Sequence, residues 1–113
     1  MAVLAVLTNL PDSESAFNLA RTVVSRRVAA CVNVLAPAMS FYRWEGREEQ
    51  ASEVPVIIKT TPERYAELER VLRECHPYEL PEIIALPVIQ GLENYLGWVA
   101  AECKPDLEAG TDP

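Results

Sequence analysis

Two strand-length stretches, residues 29–44 and 47–60, meet at Glu45-Gly46, a turn signal that makes them the arms of one hairpin. In a chain of 113 residues such a hairpin is too long for the sheet of a small domain to bury. The first arm holds Cys31, Val32, Val34 and Leu35. It meets Pro37, a residue confined to kinks and edges of sheets, and resumes alternation through Ser40-Phe41-Tyr42-Arg43-Trp44. The second arm begins polar, with Glu48, Glu49, Gln50 and Glu53, and ends apolar, with Val54, Val56, Ile57 and Ile58. The apolar half belongs to a core, whereas the polar tip projects and calls for a partner.

The remaining segments supply that core. Residues 2–7 are a continuous apolar run of strand length, broken by Asn9-Leu10-Pro11-Asp12. Asp12 or Ser13 then caps a helix whose stripe is Ala16, Leu19, Ala20, Val23 and Arg27, widened by Phe17 and Val24. Arg21, Arg26 and Arg27 gather toward its end, where cations favour the helix dipole. Thr61-Pro62-Glu63 starts a second helix with a capping hydroxyl, a proline at the first position and an acid. Tyr65, Leu68, Val71, Leu72 and Cys75 form its apolar face. Residues 82–86 read as a fourth strand, which Pro87-Val88-Ile89 extends or bends. Leu92, Tyr95, Leu96, Val99 and Cys103 give a short C-terminal helix. The order β-α-β-β-α-β with an added helix is the ferredoxin-like pattern, an α+β sandwich with both helices on one face of an antiparallel sheet. The other face carries apolar side chains too, so other subunits are expected to cover it. One domain spans 1–103, and the polar, proline-containing stretch 104–113 reads as a flexible tail.

Composition excludes several classes. Half of the residues are hydrophobic, which argues against general disorder. A formal charge of −7 argues against a nucleic-acid binder, which needs clustered Lys and Arg. No run approaches the roughly 18 apolar residues of a membrane span, and the N-terminal run lacks the basic start of a signal peptide. Cys31, Cys75 and Cys103 are widely spaced with no CxxC, so neither a disulfide framework nor a structural zinc site is indicated. A cytoplasmic protein with reduced thiols is expected, with no nucleic acid and no membrane as partner. The four glycines are dispersed, and no glycine-rich phosphate loop exists.

The richest segment for chemistry is His76-Pro77-Tyr78-Glu79-Leu80-Pro81-Glu82, which holds the single histidine and follows Cys75. Its two prolines keep the backbone out of helix. Together with Ala29-Ala30-Cys31-Val32-Asn33, Ser40-Phe41-Tyr42-Arg43-Trp44-Glu45-Gly46, Glu53 followed by Ile58-Lys59-Thr60, and Tyr95-Leu96-Gly97-Trp98, it resembles the CutA family of divalent-cation-tolerance proteins. The blocks keep the family's order and spacing from about residue 8 to 99. The resemblance implies a ferredoxin-like protomer, akin in architecture to PII signalling proteins, in a tight homotrimer whose hairpins reach across neighbours. It also implies a link to copper or another divalent metal ion, with no catalysed reaction.

The resemblance carries a metal site over only in part. Family members associated with copper can show a cysteine near the end of the first strand and a His-His pair before Pro-Tyr. Here those positions hold Thr8 and Cys75-His76. His76 and Cys75 are the candidate metal ligands, the thiol being a soft donor suited to Cu(I) or Zn. Glu79 and Glu82 are candidate oxygen ligands. Against this stands a plainer role for His76, ending a helix and bonding its last carbonyls. Adjacent side chains in extended backbone point apart, so Cys75 and His76 do not form a nucleophile–base dyad. Cys31 and Cys103 read as small core residues.

Tyr42, Trp44, Glu53, Lys59, Tyr78, Glu82 and Trp98 fall in the family blocks and read as a cleft between subunits. They either bind a ligand or glue the interface, since a buried Lys–Glu pair serves both. The sequence thus points to a non-enzymatic, trimeric, cytoplasmic protein of divalent-cation (copper) binding and metal-ion tolerance. The alternative is a signalling or scaffolding module that binds a small molecule or protein partner in the cleft. The third reading is an enzyme using Lys59 or Glu53.

Overall fold

The N-terminal apolar run continues as strand to Leu10 in the computed structural model, which describes residues 2–105. The elements follow in the order β1 (Val3–Leu10), α1 (Ser13–Ser25), β2 (Cys31–Val34), β3 (Ala38–Trp44), β4 (Arg47–Thr60), α2 (Pro62–Cys75), β5 (Ile84–Val88) and α3 (Glu93–Glu102). Among the described residues the fold is α+β, with three helices and one antiparallel sheet ordered β2-β4-β1-β5, while β3 pairs with β4 outside that path. The expected tail lies, from residue 106 on, outside the described residues.

Long β4 organises the sheet. Its second half pairs with β1 on one side, from Leu10↔Val54 to Leu4↔Thr60, and with β2 on the other, from Val34↔Val56 to Cys31↔Lys59. Its first half pairs only with β3, from Ala38↔Glu53 to Trp44↔Arg47. The single strand expected over 29–44 is therefore two strands. Proline restricts the residue before it and cannot donate to a ladder, and the chain leaves pairing at residues 35–37 around Pro37. Pro55 sits inside β4, but at the point where β2 has ended. Its carbonyl accepts from Leu35 N–H at 2.9 Å, so its missing donor faces the side that β2 has just left and costs the β1 ladder nothing.

Alternation along β4 sorts the side chains onto two faces. Val54, Val56 and Ile58 are buried with Val6 and Leu10 of β1 against Ala16, Leu19 and Val23 of α1 and Leu68, Val71 and Leu72 of α2. At about 25 cal/mol per Å² of apolar surface removed from water, this cluster is the main stabilising mass of the fold. On the opposite face Ile84 and Leu86 of β5 stand 47% and 48% exposed, in register with Leu7 and Ala5. A second, smaller cluster joins Val3 to Val99 and Cys103, so α3 closes the end of the sheet where β1 begins.

Local chemistry differs from expectation at several ends. Asp12 caps α1, its Oδ1 accepting from Ser15 N–H at 2.8 Å, and that bond holds its carboxyl below the ordinary value. The helix stops at Ser25, so the last turn holds no basic residue. Arg27 instead adopts a left-handed φ of 59°, and its guanidinium reaches the carbonyls of Ala101 and Glu102 at 3.2 Å. The arginine thus serves the C-terminus of α3, not that of α1. Thr61 gives α2 no side-chain cap; Arg64 N–H bonds to its carbonyl instead. The fourth strand lies at 84–88, two residues later than expected. Pro87 is accepted within it because β5 is an edge. On α3, Leu92 is 75% exposed, so only part of the expected stripe is buried. Cys103 is buried as expected, whereas Cys31 is only half-buried.

Candidate functional site

The segment after α2 is pinned to both faces of β1. Thr8 and Asn9 are neighbours on a strand, so their side chains point to opposite sides. On the helix side, His76 Nε2 lies 3.2 Å from Thr8 Oγ1 in a buried contact. On the open side, Asn9 Nδ2 donates to Glu82 Oε1 at 2.9 Å. The β1–β5 pairing places Leu7 opposite Ile84, and its continuation sets Asn9 opposite Glu82. Between these two anchors the chain turns through Pro77 and Pro81, and Tyr78 hangs over the end of β1. Its hydroxyl donates to Glu53 Oε2 at 2.8 Å.

Both nitrogens of His76 are engaged. Tyr78 N–H donates to Nδ1 at 3.2 Å, which leaves Nε2 as the protonated nitrogen facing Thr8. Burial lowers the imidazole pKa, opposed by a hydrogen bond to the Asn9 backbone and by the charge of Glu53. Burial, followed by the Glu53 hydrogen bond and charge, pushes the Tyr78 hydroxyl far above its ordinary value, so it remains a donor at any physiological pH.

This segment and the β3–β4 ribbon enclose a groove of about 830 Å³, within the size range of small-molecule sites. Ser40, Tyr42 and Trp44 share one face of β3 by alternation, and Ala51, opposite Ser40, and Glu53, opposite Ala38, share the matching face of β4. Opposite them stand Tyr78, Glu79, Leu80, Pro81, Glu82, Ile83 and Ile84, with Asn9 completing the lining. Three of these residues are glutamates and none is basic.

Five of the seven cleft residues expected from sequence, Tyr42, Trp44, Glu53, Tyr78 and Glu82, line this one groove. Lys59 and Trp98 do not. Lys59 lies six positions beyond Glu53 on β4, about 20 Å along an extended strand, and its Nζ donates to Asn33 Oδ1. The two cannot act as an acid–base pair within one protomer. Trp98 packs beside Tyr95, ring centres 5.7 Å apart, and Tyr95 in turn neighbours Cys31. Sequence reasoning passed over Asn9 and Asn33, although the alternation of β1 and β2 places both on the open face.

The fit to a metal is limited within one protomer. No three His, Cys, Asp or Glu residues come together as a ligand set among the described residues. An ion reaching His76 must displace one of its two hydrogen bonds, whereas Cys75 is exposed and free. The groove offers oxygen donors, and these suit hard cations better than copper.

Comparison with known proteins places the chain. Residues 4–102 match the family described as CutA1 divalent ion tolerance protein. Protein CutA of Mus musculus is 41% identical over 110 residues, 97% of this chain, and the match spans only 62% of the mouse protein. The divalent-cation tolerance protein CutA of Escherichia coli (strain K12 / DH10B) is 40% identical over 103 residues, 91% of this chain and 92% of the relative. The crystal structure of CutA1 from Oryza sativa superposes with a TM-score of 0.89 at 32% identity, covering 94% of this chain and 97% of the rice chain. Extent, identity and architecture agree: the chain belongs to the CutA1 family of divalent ion tolerance proteins.

Proposed function

We propose that this protein serves metal-ion tolerance as a non-enzymatic homotrimer of ferredoxin-like protomers, gathering divalent cations, copper among them, at its acidic groove. One observation carries the reading: the groove holds Glu53, Glu79 and Glu82 with no Lys or Arg in its lining. A cleft of one charge sign raises the local concentration of the opposite ion. Outside the groove, on the other side of β1, His76 and the neighbouring Cys75 are the nitrogen and sulfur donors that copper prefers. The half-exposed Ile84 and Leu86 and the projecting ribbon favour self-association. Three unpaired cysteines favour a reducing, cytoplasmic setting.

Calorimetric titration with Cu(I), Cu(II) and Zn tests this on the wild type, Cys75→Ser, His76→Ala and the double variant Glu53→Gln/Glu82→Gln. Binding that weakens at least tenfold in the glutamate variant supports the groove. Binding lost only in the Cys75 and His76 variants moves the metal to the end of α2, and binding that ignores all of them overturns the reading. The second reading, a scaffold holding a small molecule or protein in the cleft, is favoured by the aromatic wall of Tyr42 and Trp44.

A further inference from the structure

Lys59 puts a positive charge in the middle of an apolar face. The strand registers set Cys31, Lys59, Ala5 and Leu86 side by side across β2, β4, β1 and β5. The next row on the same face is Asn33, Ile57, Leu7 and Ile84. Lys59 is half-buried there, and its Nζ donates to Asn33 Oδ1, a neutral acceptor. None of the ion pairs among the described residues includes it. A subunit that covers this face strips water from the ammonium, and a desolvated charge without a counter-charge is costly. The covering surface must therefore bring a carboxylate.

The groove shows the opposite imbalance. Glu53, Glu79 and Glu82 stand in its lining with no Lys or Arg. Glu53 and Glu82 each spend one oxygen, on the Tyr78 hydroxyl and the Asn9 amide, and both of those donors are neutral. Lys59 and Glu53 lie six positions apart on β4, about 20 Å, so they do not meet within one protomer. A ring of identical subunits closes through a heterologous interface, in which one patch of each chain meets a different patch of the next. The lysine and the glutamate groove are two such patches, and they match in charge. The ribbon carries the groove wall past the end of β1, because the first half of β4 pairs only with β3, so this wall stands where a neighbour can reach it.

We propose that, in the proposed homotrimer, Lys59 of the partner subunit enters this groove and pairs with Glu53 and Glu82, so that each groove is completed by the next chain in the ring. Its methylene stem lies along Tyr42 and Trp44 of the aromatic wall, a surface that accepts an alkyl chain and attracts its cationic head. One lysine against three glutamates leaves the groove acidic. The inference rests on the trimeric part of the functional reading and not on metal binding.

The test is cross-linking of the intact protein with a water-soluble carbodiimide, which joins an amine directly to a carboxylate in contact with it. The chain holds two lysines, Lys59 and Lys104, so peptide mass spectrometry assigns the links. Covalent dimers and trimers are expected, joined from Lys59 to Glu53 or Glu82, and the distance within one protomer makes any such link a bond between chains. Lys59→Arg keeps the charge but does not couple; it is expected to stay trimeric in sedimentation equilibrium and to lose these links. Lys59→Glu, with its circular dichroism unchanged, is expected to associate at least tenfold more weakly. A wild-type trimer in which Lys59 links to neither Glu53 nor Glu82 overturns the pairing alone, as does a Lys59→Glu trimer of wild-type strength. A monomeric wild type overturns the trimer as well. Copper titration of the same preparation reads the metal proposal separately.

Discussion

His76 Nε2 meets Thr8 Oγ1 at 3.2 Å across 68 residues of chain. It thereby locks the end of α2 to the middle of β1 and sets the starting point of the segment that walls the groove. The hydrogen bond is buried on the helix face and matched on the open face by Asn9 and Glu82. A loop held on both sides of one strand has little freedom to move away from it, which keeps the groove formed.

Acid should loosen this lock. Burial depresses the His76 pKa in the folded protein, so the unfolded chain takes up the proton first. The contribution of the neutral imidazole is complete above the unfolded value of about 6.5 and is lost as pH falls from there through the folded pKa. Guanidinium unfolding from pH 7.5 down to pH 5 is expected to show falling stability, with a flatter profile for His76→Gln. Parallel profiles would remove His76 from the account.

The Tyr78–Glu53 bond closes one wall of the groove. Tyr78→Phe removes a donor from a carboxylate, and such bonds are worth about 1–2 kcal/mol when partly buried. A double-mutant cycle with Glu53→Gln is expected to return a coupling of about 1 kcal/mol. Additive effects would show that the bond contributes nothing.

The hairpin turn is built against propensity. Glu45 and Gly46 have φ of 52° and 79°, a turn with both central residues left-handed, which favours Asn-Gly. Glu45→Asn is expected to stabilise by a few tenths to about 1 kcal/mol. An alanine side chain at Gly46 would meet no atom within 4 Å, so Gly46→Ala should cost about 1 kcal/mol through backbone strain alone. Thermal melts of both variants check the pair, and a neutral Gly46→Ala would contradict it.

The half-exposed apolar strip on the open sheet face is the expected contact of the proposed trimer. Leu86→Asp places a charge in the middle of the strip formed by Ala5, Leu7, Ile84 and Leu86. Sedimentation equilibrium is expected to show a trimer for the wild type and dissociation for this variant at the same concentration, because an unpaired buried charge costs several kcal/mol. A trimer of wild-type strength in Leu86→Asp would place the contact elsewhere.

Much of the fold was readable in local pattern. Apolar periodicity located the helices, the Glu45-Gly46 turn located the hairpin, and Asp12 and Pro62 marked helix starts, because these are decided within a few residues of chain. The strand breaks were less legible. Pro37 was visible, but whether it kinks a strand or ends one depends on which neighbour is there to pair. Pro55 was harmless only because β2 stops beside it. Arg27 looked like a counter-charge for its own helix, yet its guanidinium serves α3, about 75 residues later.

The same division runs through the site. Tyr78 and Glu82 were marked out by a segment dense in aromatics and carboxylates around two prolines, and Tyr42, Trp44 and Glu53 by the blocks that resemble the CutA family. Five of the chosen residues meet in one groove, while Lys59 stands six positions farther along β4 and Trp98 stands on α3. Register sets which residues of β1, β2 and β3 lie beside each residue of β4, and it joins segments far apart in the chain. The composition of the site was thus determined by sequence, and its membership was decided by tertiary structure.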